Sequence, residues 1–304
     1  MNNIMDNIVV FIIIQTLIIA TPMMITAVGA CVCELTGVTN IGLEGIMLSG
    51  AFAAAVTNIS LASVMGPYIG LLVGMFVGGI ISLIHAYVSI HLKGNQIVSG
   101  VAINLFAAGT TAFLIKTIYK TAGNTPQAAH LGNQYVVTIL IYVVAILAYF
   151  FLYKTVIGLR IRAVGEHPLA ADTVGISVYK VRYLGVLISG IFGGLGGAYL
   201  TTVMLPGFNN NMTAGRGFMA LAAMIFGKWN PKGAIFASLL FAFGQVVADQ
   251  MKASGVGVPQ QFLTMIPYIL TLLALVGFVG KAKAPKASGI PYEIYIRFYT
   301  ILRW

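Results

Sequence analysis

The sequence predicts an all-α, polytopic membrane protein with about nine transmembrane helices, within a range of eight to ten. Three observations predict it. Hydrophobic residues make up 59% of the 304 positions and charged residues only 8%, too little polar surface for a water-soluble domain of this size. Apolar stretches long enough to cross a bilayer, about 20 residues each, recur along the chain. Basic residues gather in alternate loops. No hydrophilic block is long enough for a soluble domain. Residues 1–282 therefore read as one membrane domain, and 283–304 as a cytoplasmic or interfacial tail.

The predicted spans are 8–30, 41–58, 68–89, 97–118, 135–153, 183–204, 235–251 and 262–280. Segment 212–227 is apolar but short, as expected of a half-helix. No Lys or Arg precedes the first apolar run, whose one early charge is Asp6, so this run is expected to stay as a span rather than act as a secretory signal. With an external N-terminus, Lys93, Lys154, Arg160, Arg162, Lys180, Arg182, Lys228, Lys232, Lys281, Lys283, Lys286, Arg297 and Arg303 lie inside. Only Lys116, Lys120, Arg216 and Lys252 lie outside. That asymmetry fixes the orientation by the positive-inside rule. The net charge of +10 thus reflects topology and lipid contact. It does not mark a nucleic-acid surface, which would cluster cations with aromatics on one face.

Glycine falls inside the spans. Pairs four residues apart at Gly190/Gly194 and Gly193/Gly197 allow helix backbones to approach closely. Three stretches look like broken helices: 35–45, 205–217 and 227–233. Irregular backbone at depth is tolerated where protein buries it or where it lines a wet cavity. The first and third breaks fall in corresponding places if the chain divides near 154–182, and the two halves are then expected to be inverted repeats. Cys31 and Cys33 have no His or further Cys nearby and read as packing residues, with no metal.

The chain has seven acids: Asp6, Glu34, Glu44, Glu166, Asp172, Asp249 and Glu293. Only Glu44 lies within an apolar span. This supply is thin for an ion-coupled carrier, the alternative transport class. No H-E-x-x-H, G-x-S-x-G or G-x-x-x-x-G-K-[ST] word occurs, so neither a hydrolase nor an ATP-binding loop is encoded. Glu44 either faces an aqueous pathway or caps a broken helix through the amides near Gly42 and Gly45. Asn40, Asn104 and Gln245 are neutral polar groups at depth, suited to bonding across helices or to a solute. With Glu44 they are the candidate pathway residues.

Seven of the 24 charged side chains lie between Lys154 and Arg182. Within that loop, Pro168 suits a first helical position and Gly175 a left-handed stop. Barely two turns lie between them, too short to persist alone in water. Such a helix is expected to rest on the membrane face and on a second protein.

At these residues a resemblance enters. Gly158 to Pro168, followed by Ala170, Ala171, Gly175 and Ile176, is similar to the coupling loop of bacterial ABC-importer permeases. That group contains the nucleoside, simple-sugar and branched-chain amino-acid permeases. Gly37 to Gly45 resembles its early motif in the nucleoside branch, and Gly215–Phe218 through Phe226–Pro231 its late one. The similarity runs from about residue 10 to Glu293. It implies a nucleoside permease, with a simple-sugar permease as the alternative, in a bacterial cytoplasmic membrane. Two ATPase subunits, binding the ATP and Mg that this chain does not, would sit below. A second, non-identical permease would stand beside it, and an extracytoplasmic binding protein or lipoprotein would deliver solute. Arg160, Arg162, Gly165, Glu166, His167, Pro168, Ala170, Ala171, Asp172 and Gly175 would carry ATPase coupling. Bulky charges at Ala170 and Ala171 are expected to abolish uptake without affecting insertion. Leu169 departs from the polar character expected there. His167 stands where sugar-type relatives more often have Asn. The tail from 290 to 304 extends past the usual end of the family.

Overall fold

The computed structural model describes residues 8–121, 123–255 and 283–293, with single positions 262, 265 and 269. Ten α-helices run through them: α1 (Ile8–Glu34), α2 (Leu43–Leu61), α3 (Gly66–Ala86), α4 (Gln96–Tyr119), α5 (Gln134–Lys154), α6 (Val156–Glu166), α7 (Pro168–Thr173), α8 (Val178–Tyr199), α9 (Arg216–Phe226) and α10 (Pro231–Ala253). Helices α3 and α8 each continue into a five-residue π-helical segment, Tyr87–His91 and Leu200–Met204. Among the described residues, extended pairing is limited to a bridge between Asn124 and Asn209 in the outer loops.

Among the described residues, seven helices are long and apolar enough to cross a bilayer: α1 to α5, α8 and α10. The expected half-helix is α9, with 11 residues. The expected span 262–280 lies outside the described residues. Helix boundaries follow local chemistry. Asn95 accepts the amides of Ile97 and Val98 to start α4, and Asn230, ahead of Pro231, accepts that of Lys232 to start α10. Pro22 sits inside α1 without ending it, and Thr26 returns a hydroxyl bond to the Pro22 carbonyl at 2.8 Å.

The centre of the bundle is α8, which packs against α1, α2 and α3. Its glycines permit this. A Cβ on Gly194 would collide with the Gly74 carbonyl of α3, and one on Gly197 with the Met47 carbonyl of α2. Lipid supplies no hydrophobic drive between helices, so direct backbone contact and dispersion hold them together. The outer surface of α3, α4 and α5 presents Leu72, Phe76, Phe106, Phe113, Ile139 and Leu140, as a lipid-facing belt requires.

The segment read as a polar loop, 154–182, is more regular than expected. It forms two helices, α6 and α7, because α6 is amphipathic: Gly158, Ile161, Val164 and Gly165 are buried while Arg160 and Glu166 face out. Replacing Gly194 with Leu is expected to abolish the folded bundle, whereas Gly109→Ala, where a Cβ meets nothing within 4 Å, leaves it intact. Thermal unfolding in detergent distinguishes the two.

Candidate functional site

The first broken helix, between α1 and α2, organises the inner half of the molecule. Its backbone is largely buried in the bundle, with Thr36, Gly37, Val38 and Asn40 all buried, and unpaired amides and carbonyls are costly there. Side chains from several elements satisfy it. Gln96 Oε1 accepts the Thr39 amide at 2.7 Å. His85 Nε2 lies 3.0 Å from the Thr39 carbonyl, which can only accept, so that nitrogen carries the proton; Nδ1 faces Ser99 Oγ at 2.9 Å. Asn40 Oδ1 accepts from the Gly42 amide at 3.1 Å, and its Nδ2 donates to Ser189 Oγ of α8 at 3.3 Å. Asn104 Nδ2 donates to the Ile41 carbonyl at 3.0 Å while its Oδ1 accepts the Gly45 amide at 2.7 Å. Cys33 Sγ lies 3.2 Å from the Val38 carbonyl, and both cysteines are buried and free.

Acids flank this break on both sides, and both hold the half-helix α9. Glu44, in the first turn of α2, accepts the Gly215 amide at 2.8 Å and the Gly217 amide at 2.6 Å. Its carboxylate thus caps the N-terminus of α9, where free amides and the helix dipole favour an anion. Glu34, at the end of α1, accepts Trp229 Nε1–H at 2.8 Å just beyond the C-terminus of α9. Lys228 and Trp229 both adopt left-handed backbone, with φ of 56°, a conformation that non-glycine residues avoid. The 11 residues of α9 span about 16 Å, and the two acids hold that length at both ends.

The expected local cap is corrected here. The Gly42 and Gly45 amides go to Asn40 and Asn104, and Glu44 reaches across the chain to another break. The structure therefore brings together Asn40, Glu44 and Asn104. Gln245 stands apart, half-buried on α10.

On the inner face, Thr155 caps α6 by accepting the Gly158 amide at 3.1 Å. A Cβ on Gly165 would collide with the Leu35 carbonyl, so α6 ends against the first break. His167 is extended, Pro168 opens α7 and Gly175 closes it at φ +81°. Ala171 is 4% exposed and packs with Val164, Val178 and Tyr292. Leu169 and Val174 are 53% and 73% exposed, with Ala170, Asp172 and Thr173 exposed beside them, and Leu169 edges a groove shared with Arg182, Lys286 and Pro291. A charge at Ala171 would disturb this chain's own packing, so the outward residues make the cleaner test. Arg160 is exposed, and Arg162 lies 4.8 Å over the Tyr153 ring.

Residues 283–293 close this face. Ala287 N–H donates to the Gly165 carbonyl at 2.9 Å and Gly289 N–H to the Gly37 carbonyl at 3.2 Å. Burial, and after it the Asp172 carboxylate, pushes the Tyr292 phenol up to about 12, so the ring is neutral near pH 7. Sequence reasoning missed Glu34, Trp229 and Ser288, whose hydroxyl donates to Glu34 Oε2 at 3.2 Å. The one signal for Glu34 was an acid at the end of an otherwise uncharged span.

Membrane-length helices, broken at depth and carrying a solvent-facing helical hairpin on the basic side, are the build of a membrane transport subunit. The chain belongs to the family described as branched-chain amino acid transport system / permease component, whose model matches residues 12–275. It is 44% identical over 301 residues to the guanosine ABC transporter permease protein NupQ of Bacillus subtilis, covering 91% of this chain and 94% of that one. It is 40% identical to the nucleoside ABC transporter permease protein NupC of Lactococcus lactis, covering 94% and 98%. A putative glucose ABC transporter permease protein, TsgC13 of Haloferax volcanii, is 35% identical over 73% of this chain and 72% of its own length.

Asn104→Leu leaves the Ile41 carbonyl and the Gly45 amide unpaired. Glu44→Ala frees two amides from a charged acceptor, at about 1.5–3 kcal/mol per bond. Both variants are expected to unfold at lower temperature than the parent, with Glu44→Gln intermediate. Gln245→Leu should change little, and thermal melts of the purified proteins check the order.

Proposed function

We propose that this chain is the membrane-embedded permease subunit of an ATP-driven importer that carries nucleosides across a bacterial cytoplasmic membrane. Residues 1–282 form the permease domain, and 283–304 follow it as an inner-face tail. The relatives named for guanosine and nucleosides, each similar over more than nine-tenths of this chain, support the solute class. The glucose-named relative covers less of it, and a simple sugar stands as the second reading. ATP and Mg are held by separate ATPase subunits. A second, non-identical permease completes the pathway, and an extracytoplasmic binding protein or lipoprotein delivers the solute.

The observation that carries the reading is the outward face of α7. Leu169 and Val174 are exposed on a polar hairpin, and isolated apolar side chains at the tip of a short helix suit a partner's groove. Arg160, Glu166, His167, Ala170, Asp172 and Gly175 surround that tip. Pro168 and Gly175 set its ends, and Arg162, Gly165 and Ala171 anchor it to the bundle. Force applied to the tip reaches the first break through the contact of Gly165 with Leu35. The break holds Asn40, Glu44 and Asn104, and on this reading these residues, with Gln245 of α10, line the solute's route. ATP hydrolysis in the partner then biases the bundle between outward- and inward-open packings.

Leu169→Glu combined with Val174→Glu is expected to abolish nucleoside uptake and copurification of the ATPase, with membrane insertion and thermal stability unchanged. Uptake at the parental rate in that double variant would remove the basis for the reading. Competition of labelled guanosine uptake by unlabelled nucleosides, and its indifference to glucose, tests the solute class.

A further inference from the structure

Residues 285–293 make an unusual set of contacts for the end of a membrane domain. They touch the end of α1, the first break, α6, α7 and α8. The Ser288 hydroxyl sits 3.2 Å from Glu34 Oε2 and 3.1 Å from Thr39 Oγ1. Gly289 is bonded to the first break at Gly37, and Ala287 to Gly165 at the end of α6. The Ile290 carbonyl accepts from Arg182 Nη1 at 3.0 Å. Tyr292 is buried among Val164, Ala171 and Val178, with its ring 5.6 Å from that of Tyr179. The Lys93–Glu293 pair, at 3.2 Å, is solvent-exposed, as are Lys286, Gly289, Ile290 and Pro291.

The seat is incompletely satisfied. Arg182 is 1% exposed, yet among the described residues its Nε and Nη2 are buried with no acceptor. Buried donors in a purely structural contact are ordinarily paired. Here the strap lies between a buried cation, Arg182, and a buried acid, Glu34, and contacts each through a neutral group, the Ile290 carbonyl and the Ser288 hydroxyl. Ala171 of α7 and Tyr292 of the strap share one cluster, so a displacement of α7 reaches the strap directly.

On the transport reading above, we infer that residues 285–293 are a releasable latch. Seated, they hold the first break to the α6–α7 hairpin. When the partner displaces α7, Tyr292 leaves its pocket, the bonds to Gly37 and Thr39 open, and the break is free to reshape. The tail is thus a working part of the coupling path, and its role is to set when the break moves.

A reversible cross-link tests this. The Thr39 and Ser288 hydroxyls are close enough for cysteines at both positions to join. Thr39→Cys and Ser288→Cys are introduced into a chain whose Cys31 and Cys33 are alanine, and the assembled transporter is assayed in vesicles. The oxidised form is expected to lose uptake by about tenfold or more, consistent with one state being locked, and reduction is expected to restore it. Equal uptake in the oxidised and reduced forms overturns the latch, because the strap then stays seated throughout the cycle. A readout independent of solute keeps the two readings separate. Maleimide labelling of a lone Ser288→Cys is expected to accelerate when the complex is trapped with ATP and vanadate. An unchanged labelling rate overturns the latch even if the solute proves not to be a nucleoside. Failure of the reduced form to take up nucleosides, with labelling still accelerated, sinks the solute assignment alone.

Discussion

The arrangement of the inner half of this protein depends on one constraint: the backbone of the break between α1 and α2 must be satisfied where water is scarce. An uninterrupted helix meets this requirement internally, but a break at depth must borrow its partners. Gln96, His85, Asn40 and Asn104 supply them from within the break, α3 and α4. Each of these polar residues, placed in a lipid-solvated bundle, is explained by a backbone group it completes. The break also explains the glycines around it, because Gly165 and Gly185 must let α6 and α8 approach Leu35 and Thr36 without a Cβ in the way.

From that constraint follows the placement of the half-helix. Glu34 and Glu44 flank the break, and their carboxylates reach the two ends of α9 through Trp229 and through the Gly215 and Gly217 amides. The break and the half-helix therefore behave as one unit with polar hinges at both ends and apolar packing between. On the proposed transport reading, such a unit is where discrete rearrangement is expected, because the hydrogen bonds of a carboxylate are either made or lost. The inner hairpin touches this unit at Leu35, and the strap touches it at Gly37 and Thr39. The hairpin and the strap are thereby both in contact with the break.

Much of this was legible in the sequence. Hydropathy gave the spans that lie within the described residues, and Pro168 and Gly175 marked the ends of α7 because each conformation they favour is local. The short apolar run at 212–227 was readable as a half-helix for the same reason. The α6 helix was hidden because its charges dominate the composition, while its buried side is made of small residues, Gly158 and Gly165, that carry little hydropathy. The pairings of Glu44 with Gly215 and of Glu34 with Trp229 join residues more than 170 positions apart, and no local pattern encodes them. The Ser288 to Tyr292 strap has no helical or strand periodicity at all. Its position is set by the carbonyls and pockets it meets on the inner face.

The central claim is that α7 receives its input from a separate ATP-hydrolysing subunit through an outward apolar tip. A photoreactive phenylalanine analogue placed at Val174, and separately at the buried Ala171, tests this in intact cells. The account predicts that irradiation joins Val174, and not Ala171, to one cytoplasmic ATPase chain identified by mass spectrometry. A Val174 adduct with an extracytoplasmic protein, or with lipid alone, would contradict it.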